Sequence, residues 1–271
     1  MKAKKMDNVI YVLKDMEEND MKYDKFTDKA DIYDKYRPKY SKDFINYLYQ
    51  YLALPIGAVI ADIGAGTGIL SEEFLKRGSN VICVEPNKKM LEQAKRKLQH
   101  YKNVSFINET AENTNIKDVS IDVVTVGQAF HWFDEKLFLN ECKRILVDEG
   151  IVVLAWNVSN SEDPINKEVS HLNYMYAKNY NGYNARDKES DTKYLYFFKD
   201  GNMEIHFFEN NLLLDKKEFV GRCLSRSYAP NLSDSNYDKY VNGLSDIFDN
   251  YSENKKIRIK NNTKCILGRV K

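Results

Sequence analysis

Val59-Ile60-Ala61-Asp62-Ile63-Gly64-Ala65-Gly66-Thr67-Gly68 is the stretch whose reading decides the fold. Val59 to Ile63 is a short apolar run rich in β-branched side chains, the pattern of a buried strand in a parallel sheet. Asp62 interrupts it near its carboxyl end, where open α/β sheets put their ligand sites. Gly64, Gly66 and Gly68 then permit a tight turn and let the backbone approach a ligand with no Cβ in the way. Ile69 to Arg77 reads as a helix, with Ile69, Leu70, Phe74 and Leu75 on one side and Gly78 as its stop. Strand, glycine turn and helix N-terminus together predict a ligand cradle. Its spacing is G-x-G-x-G, with Ile69 where the third glycine of the dinucleotide fingerprint G-x-G-x-x-G would stand.

Val81 to Val84 is a second buried apolar run, and it ends in Glu85. An acidic side chain at the tip of the second strand can accept hydrogen bonds from both hydroxyls of an adenosine ribose, and it repels a ribose 2′-phosphate. A nucleoside-binding α/β domain follows from these two strands.

The same residues resemble the class I S-adenosylmethionine-dependent methyltransferases, most nearly the small-molecule enzymes with a type 11 core. Asp62-Ile63-Gly64-Ala65-Gly66-Thr67-Gly68 matches the first motif of that family, and Glu85 its ribose-binding acid. The likeness runs from about Phe26 to Asn157 and returns at Ser225-Arg226-Ser227-Tyr228, a family segment that borders the pocket. It implies S-adenosylmethionine as cofactor, with S-adenosylhomocysteine as product, and cofactor contacts from Asp62, Gly64, Ala65, Gly66, Thr67, Gly68, Glu85, Pro86 and Met90.

Phe26, Ala30, Tyr33 and Arg37-Pro38-Lys39-Tyr40 are similar to the family segment F-x-x-x-A-x-x-Y-x-x-x-R-P-x-Y, which forms a lid over the cofactor. Tyr33 and Arg37 lie four apart and share a helix face. An arginine there could fork the carboxylate of the methionine moiety, while Phe26 or Tyr33 covers an apolar or sulfonium surface. The plainer reading is an amphipathic helix that packs, with Arg37 in a surface ion pair. Thr110-Ala111-Glu112 matches the segment that meets the adenine amino edge, with an exposed loop as the alternative for Glu112.

Ile121 to Val126 reads as a fourth strand with Asp122 at its start, and it runs into Gly127-Gln128-Ala129-Phe130-His131-Trp132-Phe133-Asp134. Topology turns that loop toward the methyl group, with Gln128 and Ala129 passing along the methionine portion. The G-Q-A-x-H-W-F segment resembles a subset that includes the trans-aconitate methyltransferase-like proteins. His131 there could deprotonate a hydroxyl or orient a carboxylate; otherwise it caps the next helix or bonds the backbone. Trp132 either lines the acceptor pocket or packs beneath the loop, and Tyr228 belongs to the same pocket. None of the five prolines are adjacent, so the Pro-Pro-aromatic motif of many nucleic-acid methyltransferases is absent. An acidic cluster of the catechol type is not evident, and no metal is expected.

Lys88 to His100 predicts a helix whose basic residues form a solvated face, since no aromatics interleave with them. Val104 to Asn108 is a third strand, Lys136 to Leu146 a helix, and Ile151 to Trp156 a fifth strand entered through Asp148-Glu149-Gly150. Ser161 to Lys199 reads as a helical cap insertion whose tyrosines wall a pocket or simply coat a surface. Met203 to Leu214 is expected as one strand and Leu214 to Arg226 as a helix. Lys255 to Lys260 and Lys264 to Val270 are expected to form a terminal hairpin turning on Asn261-Asn262-Thr263 with positive φ. Within Met1 to Met21, Val9, Val12, Leu13 and Met16 recur at helical spacing, as either an extra helix or a frayed end.

The 271 residues carry 41 Lys and Arg against 40 Asp and Glu, a net charge of +1 that points to neither nucleic acid nor an anionic membrane. Cys83, Cys142, Cys223 and Cys265 are scattered, which suits reduced packing residues better than disulfides or a zinc site. With no apolar run long enough to span a bilayer, a cytoplasmic enzyme acting on a small-molecule acceptor is the expectation, without nucleic-acid or membrane partners. The expected fold is a Rossmann-like, doubly wound α/β domain: a mostly parallel seven-stranded sheet with antiparallel C-terminal strands and a helical cap insertion. One methyltransferase domain over residues 1–271 divides into N-terminal lid helices (1–52), a cofactor-binding core (53–157), the cap insertion (158–202), and C-terminal strands with a cap helix (203–271). The expected reaction is methyl transfer to oxygen, of a carboxylate or a hydroxyl. A cofactor-binding regulatory protein without turnover is one alternative. A nicotinamide oxidoreductase is another, opposed by the glycine spacing and by the lack of a recognisable hydride-transfer site.

Overall fold

A computed structural model describes residues 36–178, 180 and 191–271. The expected lid residues Phe26 and Tyr33, the Met1 to Met21 segment and Tyr183, one of the tyrosines of the expected cap insertion, lie outside the described residues. Helix α1 (Lys42–Tyr51) leads into β1 (Val59–Ile63), α2 (Ile69–Leu75), β2 (Asn80–Val84), α3 (Lys88–Leu98) and β3 (Val104–Ile107). After β4 (Ile121–Gly127) come α4 (Glu135–Ile145), β5 (Leu146–Ser159), α5 (Pro164–Tyr176) and β6 (Glu204–Glu209). The chain continues through β7 (Leu212–Leu214), α6 (Lys216–Leu224), α7 (Tyr237–Tyr251), β8 (Ile257–Ile259) and β9 (Asn261–Arg269).

The main sheet has seven strands in the order β3-β2-β1-β4-β5-β9-β6. Strands β1 to β5 pair in parallel, and β9 runs antiparallel between β5 and β6. Winding proceeds from β1 outward to β3 and then restarts at β4 on the other side. That reversal opens a crevice at the carboxyl ends of β1 and β4, the place where doubly wound sheets bind ligands.

The two faces of the sheet follow from the two-residue pleat. On β5, Val152 and Leu154 join one core with Phe130, Phe138, Ile145 and Phe197. Val153 and Ala155 point the other way, into a core with Phe44, Leu48, Leu70 and Phe74. Residues buried on both faces explain why these strands read as nearly continuous apolar runs. All four cysteines are buried and free.

A third core belongs to the cap. Ile165, Val169 and Leu172 of α5 meet Phe219 and Cys223 of α6 and Tyr240, Leu244 and Phe248 of α7. Helix α7 carries a helical repeat that the expectations above do not include, and it supplies about a third of this core. By contrast, Phe197 and Phe198, which fall within the expected cap insertion, pack into the main core beside α4.

Two expectations are corrected here. Asn261-Asn262-Thr263 is not a turn: it lies in β9, opposite Ser159, Val158 and Asn157 of β5. Asn261 and Thr263 are buried, and the Thr263 hydroxyl serves internal hydrogen bonds with Ser41, Asn157 and Asn210 rather than a solvated loop. The positive φ angles sit at Asn254 and Lys255, ahead of β8. Strand β8 pairs with β7 in a separate two-stranded sheet, so β8 and β9 are successive stretches of one extended passage. Similarly, Met203 to Leu214 is two strands, divided at Asn210 and Asn211, because β6 belongs to the main sheet and β7 to the cap. The antiparallel strands of the main sheet are therefore β6 and β9.

Candidate active site

The glycine turn is built as its composition requires. Gly64, Gly66 and Gly68 have φ of 69°, 57° and 77°, a region in which side chains with a Cβ are strained. Backbone N–H groups of Gly64 and Ala65 donate to the Val84 carbonyl at 2.8 and 3.0 Å, which clips the turn to the tip of β2. A Cβ on Gly64 would lie 2.5 Å from the Ala129 Cβ, so the loop after β4 presses directly against the turn.

Glu85 stands behind this turn. Its carboxylate accepts from the backbone N–H of Gly66 at 2.9 Å through Oε2, and from that of Asn87 at 2.9 Å through Oε1. Burial pushes its pKa up to about 7; the N–H groups of Asn87 and Gly66 pull it down, and the nearby Asp62 charge raises it. Asp62 is also buried, and accepts from the hydroxyls of Ser71 at 2.5 Å and Thr125 at 3.0 Å. Burial raises its pKa to about 6 against those hydrogen bonds. One carboxylate thus ties β1 to α2 and β4, and a second waits at the tip of β2. The Thr67 hydroxyl oxygen is buried with no hydrogen-bond partner among the described residues. A buried hydroxyl left so is a costly arrangement unless a ligand completes it.

These groups face a cleft lined on one side by Asp62, Gly64, Ala65, Gly66 and Thr67, and on the other by Gly127 and Gln128. Arg37, Pro38, Tyr40 and Asn157 close its end. Tyr40 sits so near Gly127 that a Cβ there would be 2.4 Å from the phenol oxygen. Gln128 holds a left-handed φ of 62°, its backbone N–H donating to Ala155 at 2.9 Å and its side-chain amide to the Asn157 carbonyl at 3.2 Å. Left-handed backbone at a residue other than glycine is a form of strain that clusters at functional sites.

Asn157 is a hub. Its amide nitrogen donates to the carbonyls of Pro38 at 3.0 Å and Lys39 at 3.3 Å. Its amide oxygen accepts from Asn210 at 2.9 Å and Thr263 at 2.8 Å. Asn210 also donates to the Lys39 carbonyl at 2.8 Å, and Ser41 N–H donates to Thr263 at 3.0 Å. Side chains from β5, the end of β6 and β9 thus hold the segment that carries Arg37 and Tyr40.

Of the residues expected at the site, the cleft brings together Arg37, Asp62, Gly64, Ala65, Gly66, Thr67 and Gln128. Glu85, Ala129 and Met90 stand one layer behind, against the glycine turn. Pro86 is half-buried beside Asn87, whose side chain caps α3 through the Met90 N–H at 3.1 Å. Gly68 caps α2, and its bare Cα lets Leu98 of α3 approach. Ala111 is buried in the main core. Glu112 accepts from the Asp134 N–H at 2.8 Å, linking the loop after β3 to the start of α4. His131 is exposed on a short turn of Phe130–Trp132, with its ring 5.0 Å from that of half-buried Trp132, while Phe130 anchors the turn in the core. Tyr228 lies at the cap, its hydroxyl accepting from Arg226 at 2.7 Å. Tyr40 and Asn157 are additions to the expected set. Asn157 had a signal, since it ends the apolar run of β5; Asn210 and Thr263 had none, because only the fold brings them together.

Residues 61–154 match the domain family described as a methyltransferase domain. Over 126 residues the chain is 36% identical to the methyltransferase Rv3342 of Mycobacterium tuberculosis, covering 46% of this chain and 49% of that one. It is 34% identical over 93 residues to the malonyl-[acyl-carrier protein] O-methyltransferase 1 of Ilyobacter polytropus, covering 34% of each. The chain thus spans half or less of the length of these relatives. The solved structure of the YcgJ protein of Bacillus subtilis superposes with a TM-score of 0.54 at 20% identity, covering 84% of this chain and 99% of that one, which shows a shared fold. Residues 61–154 thus match a methyltransferase domain, and the chain that carries them has the Rossmann-like fold shared with class I S-adenosylmethionine-dependent methyltransferases.

Proposed function

We propose that the protein transfers the methyl group of S-adenosylmethionine to an oxygen of a small-molecule acceptor, a carboxylate or a hydroxyl. The observation that carries this is the cleft itself: within a stretch that matches a methyltransferase domain, the glycine turn and the buried Thr67 hydroxyl face the loop after β4 across one crevice, with the Glu85 carboxylate bonded to the turn from behind. The cofactor fits these residues. Glu85 offers a carboxylate to a pair of ribose hydroxyls, Thr67 a buried hydroxyl in need of a partner, and the turn open space without a Cβ. At the far end Arg37 and Gln128 present a guanidinium and an amide suited to an amino-acid group, and Asn157 holds the segment that carries Arg37.

When bound, the cofactor supplies a methyl group already activated on a sulfonium. The protein's own work is to hold the acceptor oxygen in line and to exclude water, a positioning effect worth ~7–11 kcal/mol. For a hydroxyl acceptor His131, on the loop that follows Gln128, takes the proton; a carboxylate acceptor needs no base. Oxygen as the target is supported by the Ilyobacter relative, which is by name an O-methyltransferase.

Calorimetry with S-adenosylhomocysteine and with NAD tests the cofactor, and transfer of a labelled methyl group to a panel of acids, alcohols, amines and carbon nucleophiles tests the reaction. Micromolar binding of S-adenosylhomocysteine without NAD binding is expected. Preference for NAD, or label transferred only to nitrogen or carbon acceptors, would overturn the reading.

A further inference from the structure

Gly221 has no conformational reason to be glycine. It is buried inside α6, where glycine is a poor helix former, and its φ lies outside the left-handed region. What it provides is a close approach. A Cβ at this position would stand 2.6, 2.7 and 2.7 Å from Cδ2, Cε2 and Cγ of the Tyr36 ring. The ring thus rests on bare helix backbone, and close packing leaves no room there for one more methyl group.

The neighbouring residue makes a second contact with the same helix. Arg37 Nη2 donates to the carbonyl of Ser225, the C-cap of α6, at 3.4 Å. A guanidinium is favoured at a helix C-terminus by the partial negative charge of the last carbonyls. Arg37 also lines the cofactor cleft, and so does Tyr40, whose phenol fills the space beside Gly127 at the end of β4. Residues 36–40 therefore form a strap with one end on the cap and the other in the cleft. Among the described residues, α6 itself supplies none of the cleft lining. Its own position is set by Phe219 and Cys223 in the cap core and by a capping box between Asp215 and Glu218.

We propose that Gly221 and Tyr36 are positioning residues of the cofactor site, and that their contact couples the cap to the bound cofactor. The cap helix holds the strap, and the strap holds Arg37 and Tyr40 at the end of the cleft suited to an amino-acid group. Coupling between two places in a protein is reciprocal, so a cofactor that is helped by α6 must in turn steady α6. A change under the cap is then felt in the cleft although no residue of α6 lines it. This rests on reading the cleft as the S-adenosylmethionine site.

The test combines calorimetry with S-adenosylhomocysteine and hydrogen exchange on the full chain, for the wild type, Gly221→Ala, Tyr36→Ala and the double variant. Each single substitution should weaken S-adenosylhomocysteine binding by about fivefold or more. The double variant should bind no more weakly than Tyr36→Ala, because losing the ring removes what the added methyl strikes. Thermal melts separate positioning from folding. Alanine is the better helix former, so in the Tyr36→Ala background Gly221→Ala should raise Tm and leave affinity unchanged. In the wild type the ligand should slow exchange across residues 216–225, and Gly221→Ala should lose most of that protection. Wild-type affinity in Gly221→Ala, losses that multiply in the double variant, or exchange in α6 indifferent to the ligand would each overturn the proposal. Failure of S-adenosylhomocysteine to bind the wild type is a different result: it refutes the reading of the cleft. Exchange across residues 36–41 in the ligand-free proteins then judges the contact alone, and equal rates in wild type and Gly221→Ala would overturn it.

Discussion

Glu85→Gln is the substitution with the sharpest consequence, because it separates two pH effects of opposite sign. In the free protein the carboxyl titrates at about 7, raised chiefly by burial. An unfolded chain releases that proton near pH 4.3, so between about pH 4.3 and 7 the folded state binds more protons than the unfolded one. Stability must therefore fall as pH rises through that window, by an amount of order 3 kcal/mol at about 1.4 kcal/mol per unit. Ligand binding goes the other way. Ribose hydroxyls donate to the ionised carboxylate, and with a pKa of about 7 the ionised fraction climbs from roughly a tenth at pH 6 to roughly nine-tenths at pH 8. Affinity for S-adenosylhomocysteine should rise roughly tenfold over that range in the wild type and lose the Glu85 component of the slope in Glu85→Gln. At pH 8 the variant should bind ~10- to 100-fold more weakly, the worth of one charged hydrogen bond. Asp62 titrates near 6 in both proteins, so the difference between wild type and Glu85→Gln, rather than any one interval, isolates Glu85. Calorimetry at several pH values and urea melts of both proteins measure the two slopes. Equal pH slopes of affinity in wild type and variant would refute the assignment of Glu85 to the ribose.

The other predictions bear on the loop, the hub and the turn. His131→Ala should lower turnover on a hydroxyl acceptor by ~10²–10⁴-fold with cofactor affinity nearly intact, and on a carboxylate acceptor should act mainly through KM; an unchanged kcat and KM would remove His131 from the site. Asn157→Ala, which strands the carbonyls of Pro38 and Lys39 and the donors of Asn210 and Thr263, should cost ~1–3 kcal/mol in a urea melt. The same variant should weaken S-adenosylhomocysteine binding, because Arg37 and Tyr40 lose their tether; wild-type affinity would show the hub to be structural alone. Gly68→Ala combines a φ of 77° with a Cβ 2.7 Å from Leu98, and a loss of ~1–3 kcal/mol is expected. A melt unchanged within error would mean that Leu98 moves aside freely.

Much of the parallel half was legible because its signals are local. β1, α2, β2, α3 and β4 each begin within a residue or two of the positions read from apolar runs and turn residues. Local rules work there, since β1 and β4 are buried on both faces and give nearly unbroken apolar runs. The C-terminal half obeys a rule that no short window contains. Asn261 and Thr263 look like turn residues but sit in β9, where Thr263 supplies a polar partner to Asn157, Asn210 and Ser41 across the sheet. Asn210 and Asn211 divide β6 from β7 for a related reason, the chain leaving one sheet for another. At the site, the residues of the glycine turn were readable and the tether was not. Tyr40 acquires its meaning from Gly127, 87 positions later in the chain, through a close approach that spacing does not encode.

The place of β9 bears on how the protein comes into being. A ribosome delivers β1 to β5 first, and those strands can pair in parallel as they emerge. Until residues 261–269 follow, β5 shows an open edge and β6 has no partner in the main sheet. An unpaired edge strand of Val152 to Trp156 is an adhesive surface for other nascent chains. The bonds from Thr263 to Ser41 and Asn157 also wait for that last stretch, so the wall that carries Arg37 and Tyr40 is fastened after every other part of the cleft has been made. A nascent chain would thus own the glycine turn long before it could hold a ligand there, and stalling within the final strand should leave an aggregation-prone intermediate rather than a weakened enzyme.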